Sequence, residues 1–243
     1  MNIIICKDYE AVSAAGADII EALVREKPGC TLGLATGSSP VGMYQELARR
    51  CAAGLDFSAV HSVNLDEYVG LEPTHDQSYR YFMDDNLFNH INIKKENTYV
   101  AKGVGDVDAN LAEFNAVLDR TDIDLQVLGV GPDGHLGFNE PGDTLYDGAH
   151  KETLDESTID ANARFFASRD DVPRYAVTMG MGEIMMAKRL LMILSGASKA
   201  DAARQLLMTD AITTACPATL MKLHRDATVI ITEDLADMIG YKG

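Results

Sequence analysis

The sequence predicts an α/β protein with a largely parallel sheet covered by helices. Short apolar runs of strand-forming residues alternate with amphipathic stretches almost from one end of the chain to the other. The 243 residues are 47% hydrophobic and 24% charged, which is enough for one substantial core. We see no repeat, low-complexity tract or composition break that marks a linker, so we expect a single domain over residues 1–243.

The first half of the chain begins with a strand over residues 2–6. A helix follows from Asp8 and ends before Pro28, because apolar residues recur at spacings of three and four until that point. The same patterns predict strands at residues 31–35, 61–65 and 124–128, and helices at residues 40–53, 78–87 and 107–119.

The second half continues the alternation after a polar interruption. The pattern predicts strands at residues 175–178, 190–194 and 228–232, and helices at residues 182–187, 199–208 and 218–224. Residues 143–163 are polar and weakly periodic, which favours a mobile loop or lid over the site.

Charge and cysteine usage restrict the partners and the compartment. A net charge of -16 disfavours nucleic acid and anionic membranes, so an anionic substrate must be held by local donors. The segment MNIIICKDYE lacks the features of a signal peptide, and we expect a cytoplasmic protein. The cysteines are far apart without a CxxC pair, which favours reduced thiols over disulfides or zinc ligands: Cys6, Cys30, Cys51 and Cys216.

The segment LGVGPDGHLGFNEPG, residues 128–142, follows a predicted strand and combines acid/base side chains with glycine turns. Asp133, His135 and Glu140 lie within eight residues. Flanking carboxylates can orient a histidine and raise its proton affinity into the range used in acid/base catalysis. The alternative is a turn whose polar residues face water.

A hydroxyl-rich turn follows the strand at residues 31–35. Free N–H groups at a helix N-terminus, joined by hydroxyls, suit a phosphate; the candidate residues are Thr36, Gly37, Ser38 and Ser39. The turn matches neither the Walker motif nor GxGxxG, which disfavours nucleoside triphosphates and dinucleotides. A plain helix cap is the alternative.

The segment Leu194–Lys199 repeats this order of strand, small polar turn and helix. Lys199 falls in the first helical turn, which is a poor place for a cation unless an anion binds there. Arg164, before Phe165, is a further candidate cation, and both also fit a solvated surface.

Adjacent carboxylates end the predicted third strand. Asp66 or Glu67 would face the same crevice as the 128–142 loop and could act as a base toward a carbon-bound proton. Successive strand residues point to opposite faces, so we expect only one of the two to face the substrate.

Six motifs resemble the glucosamine-6-phosphate deaminase family in order and spacing, over nearly the whole chain. They read TGSSPVGMY, NLDEYVGL, DQSYRYFM, GVGPDGHLGFNEPG, ARFF with YAVTMGMG, and LSGASKA. The resemblance implies a Rossmann-like three-layer fold with a mostly parallel central sheet flanked by helices. It also implies amino sugar catabolism, in which glucosamine 6-phosphate and water give fructose 6-phosphate and ammonia, without a metal or organic cofactor.

The same resemblance implies roles for the candidate residues. Asp66 would be the base that moves a proton between carbons 2 and 1 during aldose–ketose isomerisation. His135 would assist opening of the sugar ring, with Asp133 and Glu140 holding and tuning it. Glu67 would be structural. The phosphate would be bound by Thr36, Gly37, Ser38, Ser39, Arg164 and Lys199.

One departure from the family concerns regulation. Allosteric hexameric members carry basic residues shortly after the NEP motif, whereas His150 and Glu152 stand at the positions that we align with them. We therefore expect no activation by N-acetylglucosamine 6-phosphate, and a monomer or small homo-oligomer.

Two other functions compete with the deaminase. A 6-phosphogluconolactonase-like hydrolase also carries a Gly-x-Asp-Gly-His loop, but NLDEY and FNEPG argue against it. A non-catalytic sugar-phosphate-sensing domain would be expected to lose the acid/base residues and to gain a DNA-binding segment. This chain keeps the acid/base residues and has no helix-turn-helix extension or basic patch.

Overall fold

A seven-stranded parallel sheet is the centre of the computed structural model, which describes residues 1–243 apart from the side chains of residues 157 and 161. The strands are β1 (Asn2–Cys6), β2 (Thr31–Leu34), β3 (His61–Asn64), β4 (Asp66–Tyr68), β5 (Thr98–Tyr99), β6 (Leu125–Leu128), β7 (His150–Thr153), β8 (Tyr175–Thr178), β9 (Leu190–Leu194) and β10 (Ala227–Thr232). Strands of the central sheet lie in the order β1-β10-β9-β6-β2-β3-β5.

Helices flank this sheet, which confirms the predicted fold class. They are α1 (Tyr9–Glu26), α2 (Val41–Ala52), α3 (Tyr79–Met83), which continues as a π-helical turn (Asp84–Phe88), α4 (Val107–Leu118), α5 (Glu156–Asn162), α6 (Met181–Met186), α7 (Ala200–Leu207) and α8 (Glu233–Ile239). Asp8 caps α1 by accepting the Ala11 N–H, as its position before the apolar period predicts. Within the described chain, none of the helices is both long and apolar enough to cross a membrane.

The order of the strands creates a crevice between β2 and β6. The chain continues from β2 to β3 on one side, and from β6 to β9 on the other side. Ligands of open α/β sheets bind at such a switch point, outside the carboxyl ends of the strands. The loops that follow β2 and β6 therefore meet in space although they are far apart in sequence.

A second, antiparallel sheet covers one end of this crevice. Its strand order is β4-β8-β7, and Asp66 pairs with Thr178 across it. Leu65 alone separates β3 from β4; its N–H donates to the Leu34 carbonyl, and its carbonyl accepts the Met179 N–H. The chain thus changes sheet within one residue and places Asp66 at the edge of the crevice.

The structure corrects several predicted elements. Residues 143–163 are not a structureless loop, because they include β7 and α5; β7 is polar, and only its pairing with β8 makes it a strand. Pro217–Leu223 forms a 3₁₀ helix where an ordinary helix was predicted. The short strands β4 and β5 and the helix α8 were not predicted. All four cysteines are free, as expected, and Cys30 and Cys216 are buried.

Candidate active site

A cavity of about 320 Å³ opens at the carboxyl ends of the central strands. All of the predicted site residues except Glu140 line it: Thr36, Gly37, Ser38, Ser39, Asp66, Asp133, His135, Arg164 and Lys199. Glu140 lies behind His135 and contacts its ring. The sequence therefore predicted residues that the fold brings together from five separate segments.

The turn between β2 and α2 forms one wall of the cavity. Gly37 has a φ of 86°, which a residue with a Cβ rarely adopts, and no side chain caps the N-terminus of α2. The Tyr9 hydroxyl accepts the Gly42 N–H at 2.9 Å and lies 2.9 Å from the Ser38 carbonyl oxygen. Tyr9 thus holds the turn from outside, a role that no sequence motif indicated.

Two cations face the cavity near this turn. Neither Arg164 nor Lys199 forms an ion pair with a carboxylate among the described side chains, although Arg164 stacks 4.6 Å from the centroid of the Phe165 ring. Burial, and then repulsion from Arg164, lowers the pKa of Lys199. Two converging cations without a counterion are the local donors that an acidic protein needs to hold a phosphate.

His135 also lines the cavity, and two carboxylates contact its ring. Its Nδ1 is 2.9 Å from Asp133 Oδ1 and 3.3 Å from Glu140 Oε2. Burial alone would lower the pKa of His135, but the contacts with Asp133 and Glu140 outweigh it and raise the pKa to about 9. Both carboxylates approach Nδ1, so Nε2 is the ring nitrogen that remains for a substrate.

Glycine at position 131 makes room for this imidazole. A Cβ built there would lie 2.2 Å from His135 Cε1 and 2.4 Å from Nδ1, so the ring packs directly on the Gly131 backbone. The backbone N–H of His135 donates to Asp133 Oδ1 at 3.1 Å. Both contacts fix the ring relative to the loop that carries it.

Asp66 occupies the base of the cavity and is almost fully buried, with 5% of its surface exposed. Its Oδ1 has no hydrogen-bond partner among the described residues. Burial, and then repulsion from Glu67, raises the pKa of Asp66 to about 8, although the charge of His135 opposes the shift. The carboxylate is therefore a strong base for its type.

Glu67, the neighbouring carboxylate, points away from the cavity. It accepts N–H groups from Tyr68, Tyr79 and Arg80 at 2.8, 2.9 and 3.0 Å, and so holds the start of α3. Burial raises the pKa of Glu67 to about 7, against the effect of these hydrogen bonds. Of the two carboxylates, Asp66 lines the cavity and Glu67 does not; that Asp66 faces a substrate stays a prediction.

Two cavity features escaped the sequence reasoning. Gly137 has a φ of 60°, and a Cβ there would lie 2.8 Å from Thr178 Oγ1 and 3.4 Å from Asp66 Oδ2. The Thr178 hydroxyl also accepts the Phe138 N–H at 3.1 Å, which ties the His135 loop to the Asp66 strand. Thr158, from α5, also lines the cavity. A single threonine gives no sequence signal for such a contact.

Asp133, His135 and Glu140 could also supply ligands to a metal ion. One ligand atom from each lies within 4.8 Å of the others. A histidine must lose its proton to bind a metal, however, and the same two carboxylates favour the protonated ring. The donor set therefore fits an acid/base group better than a metal centre.

The fold and the cavity define the class of the protein, an α/β enzyme whose cavity brings two cations, Arg164 and Lys199, together with Asp66 and His135. The chain belongs to the family described as glucosamine-6-phosphate isomerases/6-phosphogluconolactonase, whose model matches residues 8–230. Both activities in that description act on phosphorylated sugars.

Individual relatives distinguish the two branches. The chain is 52% identical over 242 residues to a glucosamine-6-phosphate deaminase of Clostridium perfringens, which covers 98% of this chain and 100% of the relative. It is 46% identical to that of Thermoanaerobacter pseudethanolicus, with 98% and 95% covered.

Solved structures follow the same division. A monomeric glucosamine-6-phosphate deaminase superposes with a TM-score of 0.94 at 41% identity, covering 98% of this chain and 100% of that one. A 6-phosphogluconolactonase from Thermotoga maritima has a TM-score of 0.75 at 21% identity, with 95% and 98% covered, which shows a common fold alone.

Proposed function

We propose that this chain is a glucosamine-6-phosphate deaminase, which converts glucosamine 6-phosphate and water to fructose 6-phosphate and ammonia. The observation that carries the proposal is the set of groups in one cavity. Asp66, whose Oδ1 has no hydrogen-bond partner among the described residues, lies there with His135, which two carboxylates contact. Arg164 and Lys199, which form no ion pair with the described carboxylates, line the same cavity. The deaminases among the relatives support the same reaction.

Ring opening comes first in this proposal. The C2 proton of an amino sugar becomes acidic only when C1 is a free aldehyde, so the pyranose must open. With a pKa of about 9, His135 is largely protonated at neutral pH. It donates its proton to the ring oxygen as the bond from C1 breaks, and the C1 hydroxyl releases its proton to water as it becomes the aldehyde. Asp133 and Glu140 hold the resulting neutral imidazole in place.

Asp66 then performs the isomerisation. Its carboxylate takes the proton from C2 while the C1 oxygen gains one from water, which gives an enolamine. It then returns its proton to C1 while the amino nitrogen releases one to water, which gives an imine at C2. Its raised pKa makes the ionised form a stronger base, although only a minor fraction of Asp66 is ionised at neutral pH and that fraction grows as pH rises toward 8. Water adds to the imine, ammonia leaves, and fructose 6-phosphate remains.

The phosphate fixes the substrate at the other end of the cavity. In the proposal it is bound by Arg164, Lys199 and the turn of Thr36, Gly37, Ser38 and Ser39. Charge-assisted hydrogen bonds and free N–H groups at a helix start bind such dianions well. This anchoring orients C1 and C2 between the two acid/base centres.

An assay of ammonia release from glucosamine 6-phosphate tests the proposal directly. We expect ammonia and fructose 6-phosphate in equal amounts. Hydrolysis of 6-phosphogluconolactone, together with no ammonia release from glucosamine 6-phosphate, would instead identify a lactonase. Binding of the sugar phosphate without turnover of either compound would identify a sensing domain.

The proposal includes a monomer or small homo-oligomer without activation by N-acetylglucosamine 6-phosphate. His150 lies on the Tyr146 ring, 4.3 Å between centroids, and its Nε2 is 3.3 Å from Glu152. An imidazole beside a carboxylate is a poor substitute for two long cations in anion binding. We expect a hyperbolic rate curve that the N-acetylated sugar phosphate leaves unchanged, and a low mass in sedimentation. Cytoplasmic location is also part of the proposal, and cell fractionation tests it.

A further inference from the structure

Thr158 of α5 makes a contact with the acid/base loop that the proposed function does not use. Its hydroxyl donates to Glu140 Oε1 at 2.7 Å, and the side chain is buried, with 4% exposed. The other oxygen of the same carboxylate, Oε2, lies 3.3 Å from His135 Nδ1. Glu140 Oε1 thus accepts a hydrogen bond, whereas Oε2 has a charge contact with the imidazole.

This contact joins two parts of the cavity. Thr158 and Arg164 are six residues apart, on α5 and on the short 3₁₀ helix Ala163–Phe165 that follows it, and both line the cavity. Ile159, beside Thr158, is buried with Phe138 of the His135 loop and Tyr68 of β4 in one small apolar cluster. The segment of α5 and the following 3₁₀ helix, which carries Arg164, is therefore packed against the His135 loop and against β4.

We propose that Thr158 is a positioning residue for ring opening, whose hydroxyl orients Glu140 so that its second oxygen holds His135. The proposal rests on the proposed deaminase function. A carboxylate on a rotatable side chain has several orientations, and a hydrogen bond to one oxygen selects the orientation in which the other reaches the imidazole. The same hydrogen bond gives α5 a fixed position relative to His135.

The charges around His135 make the position of Glu140 measurable. Asp133 and Glu140 approach its Nδ1 from the loop, Asp155 lies nearby at the start of α5, and Asp66 faces it from β4. Burial, and then repulsion from Glu140 and Asp133, raises the pKa of Asp155. If Glu140 moves away from His135, the imidazolium loses a counter-charge and releases its proton at lower pH.

The variant Thr158→Val removes the hydroxyl while keeping the shape of the side chain. We expect kcat for glucosamine 6-phosphate to fall by roughly tenfold, less than the about 10²- to 10⁴-fold that general acid catalysis contributes, because His135 itself remains in place. The alkaline limb of the kcat profile should move to lower pH. The dissociation constant of the reduced, acyclic analogue 2-amino-2-deoxyglucitol 6-phosphate should stay unchanged, because that compound needs the phosphate site and no ring opening.

Two controls separate positioning from folding. Thr158→Ser keeps a donor and should retain the wild-type alkaline limb. Thr153→Val makes the same change at an exposed position of β7, five residues before Thr158, and should leave kcat and the pH profile unchanged. Thermal unfolding of all variants records any loss of stability.

The results that would overturn the proposal are distinct from those that contradict the function. An unchanged kcat and alkaline limb in Thr158→Val, or a loss of analogue binding equal to the loss of kcat, would assign Thr158 a merely structural role. A wild-type protein that releases no ammonia would remove the proposed function and this inference with it.

Discussion

Asp66 and His135 line the same cavity, but their surroundings have opposite effects on the charged form of each side chain. Asp66 is buried with one oxygen unpartnered and a second carboxylate, Glu67, beside it. His135 is also buried, but two carboxylates surround its Nδ1. The first environment disfavours the charged form of its residue, and the second favours it.

Both environments raise proton affinity, because a carboxylate is charged without its proton and an imidazole is charged with it. The pKa of Asp66 rises to about 8 and that of His135 to about 9. One site is a base that binds protons tightly, and the other is an acid that is loaded at neutral pH. In the proposed mechanism, this difference gives one cavity both the acid for ring opening and the base for isomerisation.

The largest expected effect comes from removing the unpartnered base. Asp66→Asn should lower kcat for glucosamine 6-phosphate by about 10³-fold, within the usual range for a general base. Binding of the acyclic analogue should persist, because the phosphate site is untouched. Calorimetric titration and an ammonia assay measure the two quantities. Near-normal turnover would show that another group takes the C2 proton.

Removing the acid on the other wall should have a smaller and more selective effect. His135→Gln should lower kcat for the closed-ring substrate by about 10²-fold, since general acid catalysis contributes at least that much. A substrate analogue that is already open should lose less activity. Parallel rate measurements on both compounds test this, and equal losses would contradict the division of roles between His135 and Asp66.

The proposed phosphate site anchors the substrate for both acid/base centres. Lys199→Ala should weaken substrate binding by roughly 10- to 100-fold, from about 1.5–3 kcal/mol for a hydrogen bond to a charged group. The effect should appear mainly in KM. Lys188→Ala is the matched control, because Asp124 already binds that ammonium at 2.9 Å outside the cavity. Similar KM values for both variants would place the phosphate elsewhere.

The next prediction concerns stability instead of activity and reports directly on the environment of Asp66. The native pKa of Asp66, about 8, exceeds its ordinary value of 3.8, so ionisation destabilises the folded state increasingly as pH rises from 3.8 to 8. Asp66→Asn abolishes this loss. Thermal unfolding should therefore show the variant gaining on the wild type between pH 4 and pH 8. If the difference in stability between the variant and the wild type did not depend on pH, the fold would not disfavour the charged form of Asp66.

His135 changes stability over a different interval. Its native pKa is also raised, so its ion contacts stabilise the fold fully below its ordinary value of 6.5 and are lost as pH rises through about 9. In the His135→Gln variant, the loss of stability relative to the wild type should therefore shrink as pH rises from about 6.5 to about 9. Measuring this variant beside Asp66→Asn separates the two groups by pH.

Six strands of the central sheet were predictable, all except the two-residue β5, whereas β8 alone was predictable in the second sheet. Strands such as β9 and β10 are continuous apolar runs because both faces of a parallel sheet are covered. By contrast, β7 reads HKET, and β4 has three residues. Such strands exist only through their pairing with β8, and no local pattern records that pairing.

The candidate site divides in a similar way. Loops at the carboxyl ends of apolar strands were accessible to sequence reasoning, since the topology of parallel sheets brings these ends together. The contacts of Thr158 and Tyr9 were not, because each comes from a helix that approaches the cavity from outside the sheet. Their positions depend on packing between distant segments.

The ring of His135, packed on the backbone of residue 131, has a consequence for reading other sequences. Any side chain at that position would occupy the volume of the imidazole. A relative with alanine or a larger residue there cannot present its histidine as this chain does, even if every acidic and basic residue is preserved. Glycine at position 131 takes no part in the chemistry. Its presence in a relative nevertheless indicates that the histidine can occupy the same place, and a larger residue indicates that it cannot.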